Sequence, residues 1–161
     1  MAMDMFLKMD KVKGESAADG HTDEIDLLSY SWGMSQAGSM HAATGGGVSK
    51  VNVNDIVFTH HVDAASPTLA QSCCKGTHHD SAVLTLQKAG GDKLAYMIVT
   101  LNDVMVTQVS HGSSTGDDRM SESFSLNFSK FKVSYQPQDA KGAKKGGAID
   151  FGYDIAANKQ T

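Results

Sequence analysis

The sequence is short of proline, cysteine and long apolar runs, and each shortage excludes a class of protein. Two prolines in 161 residues are far below the average of about 5%. Two cysteines cannot form the disulfide framework of a small secreted domain. No stretch reaches the roughly 20 apolar residues of a membrane span, so no membrane insertion is expected. The length fits one domain over residues 1–161 with a core of its own.

Positive charge is also scarce. The net charge is −4 and the isoelectric point is near 5.9, which disfavours a nucleic-acid-binding surface. The lysines are scattered except for Lys141, Lys144 and Lys145 near the C-terminus. The N-terminal "MAMDMFLKMDK" is apolar for only a few residues and contains Asp4, so it does not have the pattern of a secretory signal peptide. Any export would use another route.

Alternation of apolar and polar residues is abundant, and it predicts β-strands. In "AIDFGYDI", for example, Ile149, Phe151, Tyr153 and Ile155 share one face. The turn-forming segments at 88–93 and 112–118 separate such stretches. Further strands are expected at 5–12, 51–60, 82–88 and 94–110.

Two phase changes interrupt the alternation, one between Leu27 and Leu28 and the other between Phe128 and Phe131. A phase change of one residue inside a strand predicts a β-bulge, which bends the sheet. Several long, bent strands in one domain predict a mainly β fold, either a barrel or a sandwich.

One segment, "SPTLAQSCCKG", predicts a helix. Ser66 suits the N-cap, Pro67 the first helical position and Gly76 the C-terminal cap. Spacing of i,i+4 places Cys73 and Cys74 on apolar positions of this helix.

The segment "SCCKGTHHD" at 72–80 raises the question of a metal site. Structural zinc sites usually space their cysteines by two to four residues, whereas adjacent helical residues diverge by about 100°. The favoured interpretation is therefore core-facing cysteines followed by surface histidines, with no metal and no cofactor. A small metal-dependent enzyme using this cluster stays open as an alternative. Its ligands would come from Cys73, Cys74, His78 and His79, with His60 or His61 as a further candidate.

Two other patterns do not argue for an enzyme. "GSSTG" at 112–116 matches the serine-nucleophile pattern, which requires a helix after the serine, but a strand is predicted to follow. The glycine-rich "GSMHAATGGGVSK" at 38–50 lacks the ending of a phosphate-binding loop. It predicts instead a long surface loop with a role in binding or assembly.

Several segments, in order along nearly the whole chain, resemble the Hcp family, the haemolysin-coregulated tube proteins of bacterial type VI secretion systems. They are "VKGES", "DEIDLLSYSWGMSQAGSMH", "KVNVNDIVFTHHVDAASPTL", "LTLQKAGG", "DDRMSESFSLNF" and "VSYQPQ".

The resemblance implies a compact β-barrel of two sheets with one short flanking α-helix and a long protruding loop. It implies a non-enzymatic subunit of hexameric rings, which stack into a tube, are propelled by a sheath and are capped by a spike protein. The ring lumen would carry effector proteins. Such proteins are made in the cytoplasm of Gram-negative bacteria and secreted without a signal peptide. A phage tail-tube protein obeys the same geometry and is a second alternative.

Three sets of residues are then expected to act in this role. After the first phase change, Leu28, Tyr30, Trp32 and Met34 are expected to face the core, which leaves a small, neutral strip on the other side. By hypothesis this strip lines the lumen and contacts effectors, and it consists of Ser29, Ser31, Gly33 and Ser35. By resemblance, a loop contacts a neighbouring subunit or the next ring, through Gly38, Ser39, Met40, His41, Gly45, Gly46, Gly47 and Lys50. By resemblance too, His78 takes a structural role in the turn after the helix.

Overall fold

The computed structural model describes residues 2–41, 47 and 49–161, and this part of the chain is mainly β with one α-helix. The helix, α1, spans Ala65–Lys75. The strands are β1 Met3–Met9, β2 Ile25–Asp26, β3 Ser29–Ser31, β4 Met34–Ser35, β5 Asn52–Val53, β6 Ile56–His61, β7 His78–Lys88, β8 Ala95–Gly112, β9 Ser121–Asn127, β10 Lys130–Tyr135, β11 Ile149–Asp154 and β12 Lys159–Gln160.

The antiparallel strand pairing forms a circuit that starts and ends at β8. On one side, β8 pairs with β7, β7 with β1, and β1 with β2. On the other side, β8 pairs with β9, β9 with β6, and β6 with β3. The join between β2 and β3 is a two-residue step: Leu27 donates its N–H to the Met5 carbonyl, and Leu28 donates to the Thr59 carbonyl. This circuit of paired strands is the barrel arrangement that the sequence predicted.

The remaining strands lie outside this circuit. β10 pairs with β8, β11 with β10 and β12 with β11, so these three strands extend the sheet as a wing. β4 and β5 form a separate two-stranded sheet at the base of the glycine-rich loop. The fold is thus a mainly β protein of two sheets with one short helix, as predicted.

The long strand β8 changes partner at a bend. Its first half, as far as Asn102, pairs with β10, and its second half, from Met105, pairs with β9. Between the halves Asp103 has a φ of 53°, a left-handed conformation that is uncommon outside glycine. Ser129, between β9 and β10, donates its N–H to the Asn102 carbonyl. β9 and β10 therefore lie end to end along one strand.

The bulges predicted at the two phase changes are wrong. At Leu27–Leu28 and again at Phe128–Ser129 the chain leaves one strand and begins another with a new partner. A change of partner resets which side chains face the core, so it produces the same phase change as a bulge. Register shifts do occur, but they lie between Val106 and Gln108 and between Leu86 and Gln87.

Of the four side chains predicted to face the core after the first phase change, two do so. Tyr30 and Trp32 are partly buried against the core cluster, and the Trp32 ring meets the edges of Phe128 and Phe131. Leu28 is 49% exposed and Met34 is 44% exposed. Leu28 lies in the step between two strands, and Met34 belongs to the separate small sheet.

The helix ends where the sequence predicts and begins earlier. Gly76 has a φ of 63° and its N–H is bonded to the Ser72 carbonyl, which confirms the C-terminal cap. The helix starts at Ala65, so Ser66 is not the N-cap. Asp63 and Ser66 instead share the capping: the Asp63 carboxylate accepts from the Ala65 N–H at 2.8 Å, and Ser66 Oγ accepts from the Asp63 N–H at 3.1 Å.

One cluster of buried side chains fills the space between these elements, and α1 packs on it across β8. Burial of each large apolar side chain contributes about 1.5–3 kcal/mol to folding. The largest fully buried apolar members are Leu7, Ile25, Ile56, Phe58, Leu69, Leu84, Leu101, Phe124 and Leu126. In the described residues no helix is both long and apolar enough to cross a membrane.

Gly14 tests the packing of the segment that precedes β2. A Cβ at this position would lie 2.4 Å from the Glu24 carbonyl oxygen, a backbone atom. We expect Gly14→Ala to lower the free energy of unfolding by about 1–3 kcal/mol, the usual cost of overpacking. The control is Gly116→Ala, where a Cβ meets nothing within 4 Å. Equal stability of the two variants in urea unfolding would contradict this packing.

Candidate functional site

The outer side of four strands carries a continuous surface of small, uncharged side chains. In antiparallel register, Ser29 of β3 lies opposite Thr59 of β6, Thr59 opposite Ser123 of β9, and Ser123 opposite Ser110 of β8. Alternate side chains of a strand point to opposite sides of a sheet, so these four share one side. The row runs across the whole β3–β6–β9–β8 sheet.

A second row runs beside the first. Ser31 lies opposite Val57, Val57 opposite Ser125, and Ser125 opposite Gln108. Ser121 begins the next row on β9. We name the nine residues the serine face: Ser29, Ser31, Val57, Thr59, Gln108, Ser110, Ser121, Ser123 and Ser125.

The serine face includes only half of the predicted lumen strip. Ser29 and Ser31 lie on it and are exposed. Gly33 follows β3 and is half-buried, and its carbonyl accepts the Asn54 N–H. Ser35 pairs with Asn52 in the separate small sheet. The strip therefore does not continue past Ser31, because the chain leaves the large sheet there.

The serine face extends over more strands than the lumen strip that the sequence predicted. Ser121, Ser123 and Ser125 occupy the polar positions of "SESFSLN", which forms the strand predicted to follow "GSSTG". The signal was present in that alternation. What the sequence could not show is that β9 pairs with β6, which places these serines beside Ser29 and Ser31.

A buried charged cluster lies directly behind the serine face. His60, whose neighbours Thr59 and His61 point outward, is fully buried, and its Nε2 is 3.0 Å from Glu122 Oε1. Its Nδ1 is 3.7 Å from Asp63 Oδ2, in the segment that caps α1. Burial has the largest single effect and lowers the pKa of His60, but the hydrogen bond with Glu122 and the charge attraction of Asp63 and Glu122 together exceed it. The pKa of His60 is therefore raised above its usual 6.5.

The cysteine–histidine segment is part of the scaffold. His79 is buried, its Nδ1 lies 2.7 Å from the Asp10 carbonyl, and its Nε2 lies 3.0 Å from Ser72 Oγ. A carbonyl can only accept, so Nδ1 carries the proton and Nε2 accepts from the Ser72 hydroxyl. His79 thus connects α1 to the end of β1. The expectation of a surface histidine here is wrong because this ring points inward.

The neighbouring side chains point elsewhere. His78 is exposed at the start of β7, so the structural hydrogen bonds in this segment belong to His79, and the turn role of His78 stays a prediction. Cys73 is half-buried against the core, whereas Cys74 is exposed, contrary to the prediction that both cysteines face the core. In the part of the chain that the structure describes, no group of three or more His, Cys, Asp or Glu side chains could hold a metal ion.

The segment "GSSTG" joins β8 to β9, two antiparallel strands, so the predicted turn and the strand after it are confirmed and no helix follows the serine. The Ser114 N–H and hydroxyl both donate to the Asp117 carboxylate. This loop has neither the strand–elbow–helix order nor the position of a serine nucleophile.

The described parts of the glycine-rich loop are exposed. Met40 is 89% exposed, and Ser39 Oγ donates to the Gly47 carbonyl at 2.9 Å. Gly45 and Gly46 lie outside the described residues, while Gly38, His41 and Lys50 lie on the exposed flanks. Assembly through this loop stays a prediction.

Comparison with known proteins identifies the family. The family model described as "Type VI secretion system effector, Hcp" matches residues 6–135. The protein Hcp1 of Pseudomonas aeruginosa is 50% identical over 161 residues, which cover 99% of each chain. This chain belongs to the Hcp family. The resemblance drawn from its sequence is confirmed.

Solved structures agree with this membership. Hcp1 from Salmonella typhimurium is 39% identical with a TM-score of 0.83, and all of both chains is covered. A structure described as a type six secretion system protein has a TM-score of 0.93 at 31% identity, covering 99% of this chain and 100% of the other. The function expected from the Hcp resemblance, a structural tube protein of type VI secretion, is confirmed. The metal-enzyme and phage alternatives gain no support from these comparisons.

The His60 cluster gives a pH-dependent contribution to stability. The pKa of His60 is higher in the folded protein than in the unfolded chain, where it is about 6.5. The cluster therefore stabilises the fold fully below about pH 6.5, and this stabilisation is lost as the pH rises through the pKa of the folded protein. We expect Glu122→Gln to reduce the free energy of unfolding more at pH 6 than at pH 9. Urea unfolding of both proteins across this range measures the difference, and a difference independent of pH would contradict the cluster.

Proposed function

We propose that this Hcp-family chain forms hexameric rings that stack into the type VI tube, with the serine face lining the lumen. The observation that carries the proposal is the chemistry of that face: its nine residues on four strands, of which only Ser125 is buried, carry no formal charge, and His61 borders them opposite Ser121. Solubility favours a surface on which about 25–35% of the residues are charged. A wall of short hydroxyl side chains would contact many different effectors through weak hydrogen bonds without selecting for one charge.

Ring closure requires a heterologous interface, in which one side of a subunit contacts a different side of its neighbour. Exposed apolar side chains at the wing suit this contact, because monomeric proteins rarely expose large apolar patches. Ile149 is 64% exposed, Tyr135 45% and Phe151 43%. They lie beside a cleft of about 240 Å³ that runs between the wing and the β4–β5 sheet, lined by Met34, Gln36, Val51, Val53, Phe131, Phe151 and Tyr153. We propose a second copy of this chain as its occupant.

The remaining partners follow from the same proposal. The glycine-rich loop at 38–50 would contact a neighbouring subunit or the next ring, and the assembled tube would meet the spike and the sheath. The chain would be made in the cytoplasm of a Gram-negative bacterium and would leave through the type VI apparatus without a signal peptide. Membership of a secreted family supports this route.

Substitution of Ser31 tests the lumen assignment. Ser31 is exposed at the end of β3, so a large side chain there would project from the serine face without disturbing the core. We expect Ser31→Trp to keep rings intact but to lower recovery of co-purified effector by tenfold or more, because the ring repeats the obstruction six times. Ser31→Ala is the control and should retain effector.

Two measurements separate assembly from cargo binding. Negative-stain electron microscopy shows whether the rings persist, and mass spectrometry of the purified rings quantifies the effector. Intact rings of Ser31→Trp that retain a normal effector load would contradict the lumen assignment. Loss of rings in Ser31→Trp alone would place Ser31 in a subunit interface instead.

A further inference from the structure

One extra residue interrupts the pairing of β8 with β9, at the border of the serine face. Val106 lies opposite Leu126, whereas Gln108 lies opposite Ser125, so Thr107 is the additional residue of a β-bulge. Thr107 and Gln108 are both exposed. The bulge therefore comes immediately before the residues that β8 contributes to the serine face.

The bulge decides which side chains of β8 belong to the serine face. Because successive side chains of a strand point to opposite sides, a register shift of one residue moves each of them to the other side. With the bulge, Gln108 and Ser110 lie on the serine face and Val109 packs against the core cluster. Without it, Val109 would lie opposite Ser123 on the serine face, and Ser110 would point inward.

The core requires a bulge here but does not fix its position. Val106 is buried, Val109 is partly buried, and both pack against the core although they are three residues apart. Strict alternation cannot place both on one side of the sheet, so one residue between them must be extra. Either Thr107 or Gln108 could take that place. Contacts outside the core must therefore select Thr107.

The carboxylate of Asp55 supplies those contacts. Its Oδ2 accepts from the Thr107 hydroxyl at 2.8 Å, and its Oδ1 accepts from Asn127 Nδ2 at 2.8 Å. Thr107 is the extra residue of β8 and Asn127 ends β9, so one carboxylate bridges the two strands beside the register shift. The Thr107 hydroxyl also lies 3.3 Å from the Ser125 carbonyl. We name Asp55, Thr107 and Asn127 the bulge clasp.

The chain is anchored on both sides of Asp55. Before it, the Asn54 carbonyl accepts from Trp32 Nε1 at 2.9 Å, and the Asn54 N–H donates to the Gly33 carbonyl at 3.0 Å. After it, Ile56 is fully buried in the core. The Asp55 carboxylate therefore has a fixed position, from which it can hold the exposed Thr107 side chain.

We propose that Asp55 is a positioning residue for effector binding, an inference that rests on the proposed lumenal role of the serine face. Asp55 acts without contacting the effector. It fixes Thr107 as the extra residue of β8 and thereby holds Gln108 and Ser110 in one arrangement on the serine face. A surface that is ordered before it binds loses less conformational freedom on binding, which favours affinity.

Exchange of two clasp groups provides a matched set of variants. Asp55→Asn leaves a single acceptor oxygen for two donors, and Asn127→Asp alone places a second carboxylate beside Asp55. The double variant Asp55→Asn, Asn127→Asp restores the contacts, because the amide at position 55 donates to the carboxylate at position 127 and its oxygen accepts from Thr107. Asp139→Asn is the control. It removes the same charge from a carboxylate that also accepts two hydrogen bonds, in the β10–β11 loop away from the serine face.

Hydrogen–deuterium exchange and effector recovery are measured on purified rings. We expect Asp55→Asn to speed amide exchange in residues 106–112 by about tenfold, because loss of a hydrogen bond to a charged group favours local opening by about that factor. Exchange in β1 should not change. The effector that co-purifies with wild-type rings, quantified by mass spectrometry, should fall about fivefold in recovery. The double variant should return both values towards the wild type, and Asp139→Asn should match the wild type.

The two readouts distinguish the outcomes. Unchanged exchange in Asp55→Asn would overturn the proposal, as would faster exchange with a normal effector load. Equal losses in Asp139→Asn would attribute the effect to total charge, and a double variant that restores neither value would show that the contacts do not act as a clasp; either result would also overturn it. Wild-type rings that carry no effector would reject the proposed function and with it the role of Asp55 in cargo binding, whereas the exchange measurement would still decide the clasp.

Discussion

The bend in β8 at Asn102–Asp103 is the constraint on which the rest of the structure depends. One strand serves two neighbours in succession, β10 before the bend and β9 after it. The left-handed backbone of Asp103 and the Ser129 N–H bond to the Asn102 carbonyl mark the change. Because β9 departs from the line of β10 here, it can pair with β6 and complete the circuit.

This geometry separates two surfaces by chemistry. The second half of β8, with β9, β6 and β3, carries the serine face. The first half, with β10 and β11, carries the exposed apolar side chains of the wing. Under the proposed function, the serine face would contact cargo and the wing would contact the ring neighbours, so two surfaces of different chemistry would serve two kinds of partner.

Sequence patterns predicted the strands and the family well because both depend on residues that are close together in the sequence. The alternation of Ile149, Phe151 and Tyr153 and the Gly76 cap are local features, and the structure contains them as predicted. Pairing partners are not local. A phase change at Leu27–Leu28 looks the same whether one strand bulges or two strands meet. Ser121 and Ser123 could be recognised as neighbours of Ser29 and Ser31 only once β9 was seen to pair with β6. The inward position of His79 likewise depends on Asp10, 69 residues away.

The central claim is that the serine face forms the inner wall of a ring, and a cryo-electron microscopy reconstruction of the purified assembly tests it most directly. The account predicts a sixfold ring with an open centre, in which Ser31, Ser110 and Ser123 border the lumen and the wing lies between adjacent subunits. A monodisperse monomer, or a ring that turns these three serines toward the outer surface, would contradict it.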